Sequence, residues 1–543
     1  MAIDEADYIV VGAGPGGCAV AARLAAARPD RTVMLVEAGP AKPSVLSDVP
    51  LGIAALVGRR GAHNYAYETV PQAALDGRRG YQPRGRGLGG SSLINAMIYI
   101  RGQPQDYDGW AAAGCSGWSW ADVLPYFRRA EDNARGADAM HGEGGPLRVE
   151  DLREANAATQ AFLAAARQAG YPENPDFNGP VQEGVGPYQL FQKAGRRFSA
   201  ARAYLGEAGR YPNLIVRADT VCAGVSFDGR RATGVRLRQG DVETSARVRE
   251  EIVLAAGAFG TPQLLMASGV GPAAHLRAIG IAVVHDAPEV GANLQDHVDY
   301  TTSLRASADG LFGLSPAMIV RTLRAIGPWR HEGRGLLTTN VAEAGGFVKS
   351  DPALDRPDLQ LHFCVGMVDD HGRKSRFGTG YSLHVCALRP HSRGSVTLAS
   401  ADTRVAPVID PRFLSDPRDM ELLVRGATIA QRILAQPALA PLGGRPLRGS
   451  LHDDAAALRA LIRAHADTIY HPVGTCRMGS DAAAVVDPQL RVCGIDGLRV
   501  ADASIMPALV SGNTQAPTAM IGEKAADLIL RRNASGPIDR PAG

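Results

Sequence analysis

Four short stretches of the chain hold residue types that could do chemistry together. One is Tyr470-His471-Pro472-Val473-Gly474-Thr475-Cys476-Arg477-Met478-Gly479. A second runs Ala501-Asp502-Ala503-Ser504 and then Gly512-Asn513-Thr514-Gln515-Ala516-Pro517-Thr518. An imidazole titrates close to neutrality, so His471 is of the type that can take a proton from a hydroxyl while a hydride leaves the carbon. An amide such as Asn513 could hold the oxygen. Taken alone, one histidine among thirteen is more often structural. The other two stretches are rich in glycine. Gly12-x-Gly14-x-x-Gly17 suits a backbone that must approach a pyrophosphate closely at a helix N-terminus. Glu37, twenty residues past Gly17, could accept hydrogen bonds from a ribose diol. Arg84-Gly85-Arg86-Gly87-Leu88-Gly89-Gly90-Ser91-Ser92-Leu93-Ile94-Asn95 could lie against a large flat ligand. These motifs alone do not separate FAD from NAD.

The elements around the first glycine motif are those it requires. Tyr8-Ile9-Val10-Val11 predicts a buried strand, Cys18 to Ala27 an alanine-rich helix, and Thr32-Val33-Met34-Leu35-Val36 the next parallel strand. Further strands are predicted at Leu214 to Val216, Gly234 to Leu237 and Glu251 to Ala255, with 240–250 as a hairpin region. Between 300 and 450 the runs Leu359 to Cys364 and Ser382 to Leu388 suit an antiparallel sheet with one face covered. A helix from Ala516 to Leu530 closes the pattern, and 536–543 reads as a frayed tail.

Composition excludes several classes. Apolar residues make up 45% and charged residues 21% of 543, as in ordinary globular enzymes of two joined domains. A net charge of +3 gives no general attraction to nucleic acid. The seven cysteines (Cys18, Cys115, Cys222, Cys364, Cys386, Cys476 and Cys493) form no C-x-x-C pair. They read as reduced thiols of a cytoplasmic protein. The acidic start at Asp4, Glu5 and Asp7 shows no leader pattern, and no apolar run nears the ~20 residues a membrane span needs. No His, Cys, Asp or Glu grouping has metal-ligand spacing, so no metal is expected.

Together the four stretches resemble the glucose-methanol-choline (GMC) oxidoreductase family over almost the whole chain. Gly85 to Asp108, with Asn95, Tyr99 and Gly102, looks like one family signature, and Gly257 to Gly271 looks like another. Val290-Gly291-x-Asn293-Leu294-Gln295-Asp296-His297 is also similar. The resemblance implies an α/β fold: a Rossmann-like FAD domain from 1–160, 200–310 and 465–535, and an α+β substrate domain on an antiparallel sheet from 161–199 and 311–464. It implies FAD with its pyrophosphate at Gly12, Gly14, Pro15, Gly16 and Gly17, its ribose at Glu37, and its adenine side at Val221. The isoalloxazine would lie along Gly89, Gly90, Ser91 and Asn95, with Asp502 and Ala503 on the flavin side. Ala38, Arg86, Leu88, Ala96, Met97, Ala256, Gly257 and Thr514 are the other expected cofactor contacts. His471 would be the base, and Asn513 would bond the alcohol oxygen. Ile94 stands where some members carry a histidine linked to FAD, which implies noncovalent FAD. Asn513 in place of a second histidine is similar to choline-type members.

Asn340 to Phe347 and Asp370-His371-Gly372-Arg373-Lys374 look like bacterial aliphatic alcohol dehydrogenases, with choline dehydrogenases next. Such relatives imply a primary alcohol as substrate and a membrane quinone as electron acceptor. Choline or an aryl alcohol, an oxidase, and a flavin-containing cyanohydrin lyase stay open as alternatives. We read His297 as structural and away from the base, and His452 and His465 as exposed. Met318, Ile319, Thr322, Leu323 and Ile326 fall on one helical face, Arg321 and Arg324 on the other, and Trp329 and Arg330 follow. We read this helix as core-packed with a solvated basic face; peripheral contact with the inner face of a bacterial cytoplasmic membrane is the alternative.

Overall fold

Apolar, β-rich segments near the start of the chain build one sheet, and alternating segments in its middle build another. The computed structural model describes residues 5–206, 209–374 and 376–534; the tail at 536–543 lies outside them. The chain opens with β1 (Glu5–Val11), α1 (Pro15–Ala27) and β2 (Val33–Val36). α1 starts three residues before the expected Cys18, because Pro15 takes the first helical turn, where its missing N–H costs nothing. β3 (Gly184–Pro187) joins the second sheet. β4 (Leu214–Arg217), β5 (Val221–Asp228), β6 (Arg231–Gln239) and β7 (Val242–Leu254) return to the first, and α2 (Gly257–Ala267) follows. Next come β8 (Val298–Arg305), β9 (Phe312–Leu314), α3 (Pro316–Glu332), β10 (Ala344–Val348), β11 (Leu359–Cys364), β12 (Gly378–Ala387) and α4 (Pro417–Leu434). β13 (Leu498–Val500) and α5 (Gln515–Ala534) end the described chain.

The first sheet has seven strands in the order β4-β2-β1-β7-β6-β5, with β13 beside β7. Its β4-β2-β1-β7 core and the β13 pairing are parallel, as a β-α-β start requires. The predicted hairpin region is mostly strand: Gln239 pairs with Val242, so only the turn at 240–241 is free. α1 and α5 pack side by side. A Cβ on Gly522 would stand 2.4 Å from the Gly16 carbonyl oxygen, so glycine is what allows their approach.

The second sheet has eight strands, and the order β8-β12-β11-β10-β3 is antiparallel throughout. The two-residue period of β11 explains its double role. Leu359, Leu361 and Phe363 join the second hydrophobic core with Leu423 and Ala427 of α4. Gln360, His362 and Cys364 therefore face the other way, toward the first sheet.

α3 departs from the expected packing. Only Met318 and Trp329 are buried on it, whereas Ile319, Val320, Leu323 and Ile326 are exposed. The side of α3 carrying Met318 and Trp329 is covered, and the Ile319-Leu323-Ile326 row is not. No described helix is long and apolar enough to cross a membrane.

Candidate active site

Between the two sheets lies a cavity of about 680 Å³. The two glycine-rich stretches make one of its walls together. The Gly89 N–H donates to the Ala13 carbonyl at 2.8 Å, and a Cβ on Gly90 would stand 2.8 Å from the Gly14 Cα. Glu37 clamps this wall: it accepts from the backbone N–H groups of Ala13, Gly39 and Gly87 at 2.8–3.0 Å. Burial raises its pKa, while those three donors pull it down.

Gly12, Gly14, Pro15, Gly16, Glu37, Ala38, Gly90, Ser91, Asn95, Ala96, Met97, Val221, Ala256, Gly257, Asp502, Ala503, Asn513 and Thr514 all line the cavity. Gly17, Arg86, Leu88 and Gly89 do not appear in its lining; they support it from behind. A Cβ on Gly17 would stand 1.9 Å from the Gly12 oxygen, and Arg86 donates to the Ala38 carbonyl at 2.8 Å. The wall fits a dinucleotide. α1 begins at Gly14 with no side-chain cap, so its first N–H groups are free for an anion. α2 differs: its first N–H, that of Gly257, donates to the Asp502 carboxylate at 2.9 Å. At the start of α5, the buried Gln515 Nε2 has no hydrogen-bond partner among the described residues.

At the far end of the cavity sits His471, 7% exposed. Its backbone is held by the motif at 293–297, which runs antiparallel to it with Gln295 opposite Val473. The Asp296 carboxylate accepts from the His471 N–H at 2.8 Å and from the Thr468 hydroxyl at 2.6 Å. Burial lifts Asp296 to about 6 against those bonds. Tyr470, just before His471, has φ +77°, a strained conformation for a tyrosine.

His297 is not remote, contrary to its expected structural place between domains. Its Nδ1 lies 2.9 Å from His471 Nδ1, and its Nε2 lies 3.0 Å from the Leu388 carbonyl oxygen. The motif folds back as a bridge onto 469–475, so adjacent residues hold the two parts of His471: Asp296 the backbone, His297 the ring. Proton positions follow by elimination. A carbonyl only accepts, so His297 carries its proton on Nε2. Burial pushes its pKa down to about 4, so the ring is neutral and Nδ1 is an acceptor. His471 must then donate from Nδ1, which leaves its Nε2 bare. Burial, then His297, His362 and Arg84, hold the His471 pKa well below neutrality. A bare Nε2 on a neutral ring is a base ready to accept.

Asn513 Nδ2 faces that atom at 3.2 Å, and Asn513 Oδ1 accepts from Gln360 Nε2 at 3.0 Å. Gln360 thus sets which way the amide points. His362, two residues along β11, is buried with both ring nitrogens unpartnered among the described residues. Burial and the nearby charge of His384 lower it to about 3. Burial opposes charge on His384 as well, but the Asp299 carboxylate at 2.7 Å lifts it to about 10. Gln360, His362 and His384 were not singled out from the sequence. The alternation of polar with apolar residues in Leu359 to Cys364 was the available signal. Among the described residues there is no grouping of three His, Cys, Asp or Glu able to hold a metal. His452 and His465 are exposed, and all seven cysteines are unpaired.

Residues 6–299 match one family model described as GMC oxidoreductase, and residues 390–522 match a second with the same description. The chain belongs to the GMC oxidoreductase family. This GMC oxidoreductase is 46% identical over 543 residues to an alcohol dehydrogenase [acceptor] of Pseudomonas putida, covering 99% of this chain and 98% of that one. It is 43% identical to mitochondrial choline dehydrogenase of Mus musculus, over 97% of this chain and 89% of the other. Among solved structures, pyridoxine 4-oxidase from "Mesorbium loti" superposes with a TM-score of 0.87 at 31% identity, covering 97% of this chain and 100% of that one. The enzyme is an FAD-dependent oxidoreductase, and the cavity wall described above is of the kind its cofactor needs.

Proposed function

We propose that this GMC oxidoreductase oxidises a primary, aliphatic alcohol to the aldehyde and passes the electrons to a quinone-like acceptor. The observation that carries the reading is the bare Nε2 of neutral His471 beside the Asn513 amide. His471 Nε2 takes the hydroxyl proton, and Asn513 Nδ2 donates to the alcohol oxygen and holds it. Bound FAD supplies the hydride acceptor at its N5. Gly12 to Gly16, Glu37, Val221 and the Gly90 to Met97 stretch would hold it, noncovalently, since Ile94 offers no atom for attachment. The cavity's burial keeps water from the reacting carbon.

An apolar substrate is supported by the lining. Its carboxylates, Glu37 and Asp502, are engaged with backbone N–H groups, and Asp502 also with the Thr261 hydroxyl. Neither is free to meet a quaternary ammonium, whereas Phe312, Leu314, Met318 and Met367 line the outer part. The relatives' names favour the same pair of readings, an alcohol first and choline second.

Anaerobic mixing of the flavin-loaded protein with octanol tests the proposal. Bleaching of the flavin followed by slow recolouring in air is the expected result; prompt recolouring makes the enzyme an oxidase. A flavin that stays yellow with octanol but bleaches with choline or an aryl alcohol overturns the aliphatic reading. One that stays yellow while a cyanohydrin is cleaved overturns the redox reading.

A further inference from the structure

Six large apolar residues crowd one end of the cavity and face outward. Leu314, Ile319, Val320, Leu323, Ile326 and Phe377 are between 45% and 67% exposed. Ile319, Leu323 and Ile326 form one row along α3, spaced four and three residues apart. Leu314 bridges to Phe377 and sits in the strand just before α3. Leu314 also lines the cavity, as do Met318 and Thr322 from the neighbouring face of α3. The exposed row and the mouth of the cavity are thus parts of one surface.

That surface is basic at its rim. Arg321, Arg324 and Arg330 are exposed on α3, and Arg321 and Arg324 have no ion-pair partner among the described residues. Lys374 and Arg376, both exposed, line the cavity on its other side but are paired with Asp370 and Asp369, so the uncompensated charge is that of the α3 arginines. The helix has one acid, Glu332, at its last position. Exposed apolar surface rimmed by charge marks an interaction site, and the charge decides which. Two copies meeting face to face would oppose arginine to arginine, which is repulsive. An anionic lipid surface would take the apolar row into its acyl boundary and the arginines at its headgroups. α3 spans about 25 Å at 1.5 Å per residue, so it presents this pattern as a helix lying flat.

We propose that α3, with Leu314 and Phe377, docks this enzyme on an anionic membrane surface with the mouth of its cavity toward the bilayer. Docking does not depend on which substrate the cavity takes. Its consequence, entry of an amphiphilic alcohol and access of a lipid-soluble acceptor from the bilayer, rests on the proposed function.

Co-sedimentation of the flavin-loaded protein with phosphatidylcholine vesicles, with and without phosphatidylglycerol, tests the docking independently of turnover. The intact protein should sediment with the anionic vesicles at low salt. Ile319→Glu/Leu323→Glu should lower its partitioning by at least ~10-fold through loss of buried apolar area. Arg321→Gln/Arg324→Gln should lower it by about fivefold for each arginine. Neither pair lines the cavity, so flavin content, melting temperature and turnover of a water-soluble alcohol with a soluble dye should match the parent. A parent protein that stays in the supernatant overturns the proposal, as does a glutamate variant that sediments like the parent. A glutamate variant that turns a dimer into a monomer on size exclusion overturns it too, since the face would then be an interface between copies.

Discussion

His297→Leu tests the proton arrangement at His471, the proposed base, most directly. In the native site the His471 Nδ1–H donates to His297 Nδ1 at 2.9 Å, and the His297 Nε2–H donates to the Leu388 oxygen at 3.0 Å. Leucine removes both partners at little change in volume. A buried donor left unpaired costs about 1–3 kcal/mol. His471 escapes that cost by moving its proton to Nε2, where the substrate oxygen can accept it but the base is lost. At about 1.4 kcal/mol per tenfold in rate, the productive tautomer becomes ~10–100-fold scarcer. The limiting rate of flavin bleaching by a saturating alcohol, in anaerobic stopped flow, should fall by that factor, with a smaller change in KM. His297→Gln keeps an oxygen that can accept from Nδ1–H, and should recover most of the rate. Flavin content reports whether either variant merely misfolds. A leucine variant that bleaches at the parent rate refutes the tautomer argument. So does a glutamine variant as slow as the leucine one with FAD still bound.

Three further outcomes follow from the same geometry. His471→Ala should retain FAD but lose at least ~100-fold in the bleaching rate; an unchanged rate removes His471 from the mechanism. Gly17→Ala would place a methyl 1.9 Å from the Gly12 carbonyl oxygen, so the purified protein should be colourless or destabilised by about 1–3 kcal/mol or more. Its visible absorbance and thermal melt check this. Stability should fall on acidification below about pH 6.5. His297 and His362 are depressed to about 4 and 3, so their contributions are complete above the unfolded pKa and are lost as pH falls toward the folded values. Each is worth roughly 1.4 kcal/mol per pH unit in that window. Asp296, raised to about 6, acts with the opposite sign between its unfolded value and 6, as do the raised carboxyls Glu37, Glu343 and Asp502, while His471, held well below neutrality, and His465, lowered to about 4, add to the loss. A melting temperature that does not drop between pH 7 and pH 5 would contradict these assignments.

Much of the site could be read in the chain because it depends on local geometry. A glycine turn between a strand and a helix has few uses, and Gly12, Gly14, Pro15 and Gly16 line the cavity as that pattern requires. His471 and Asn513 lie 42 residues apart and meet at 3.2 Å. Their pairing came from resemblance, since no periodicity connects them. The place of His297 is not legible in the sequence, because it depends on a bridge between 295 and 473, and a strand carries no mark of what lies across from it. The packing of α3 is not legible for a related reason. Amphipathic spacing says which residues share a face, and what the rest of the chain packs against that face decides how many of them are covered.

The sequence by itself determined the kinds of parts in this protein: a dinucleotide-type glycine turn, a second glycine-rich wall, an imidazole and an amide. Those follow from residue types at short spacing, where backbone sterics leave few choices. Only the tertiary structure decided what the parts do to one another. Folding put His297 behind His471, Gln360 behind Asn513 and an uncovered apolar row at the cavity mouth. Proton positions, pKa directions and exposure are properties of neighbours distant in sequence. Burial and long-range hydrogen bonds create them, and neither exists until the two sheets have closed on the cavity between them.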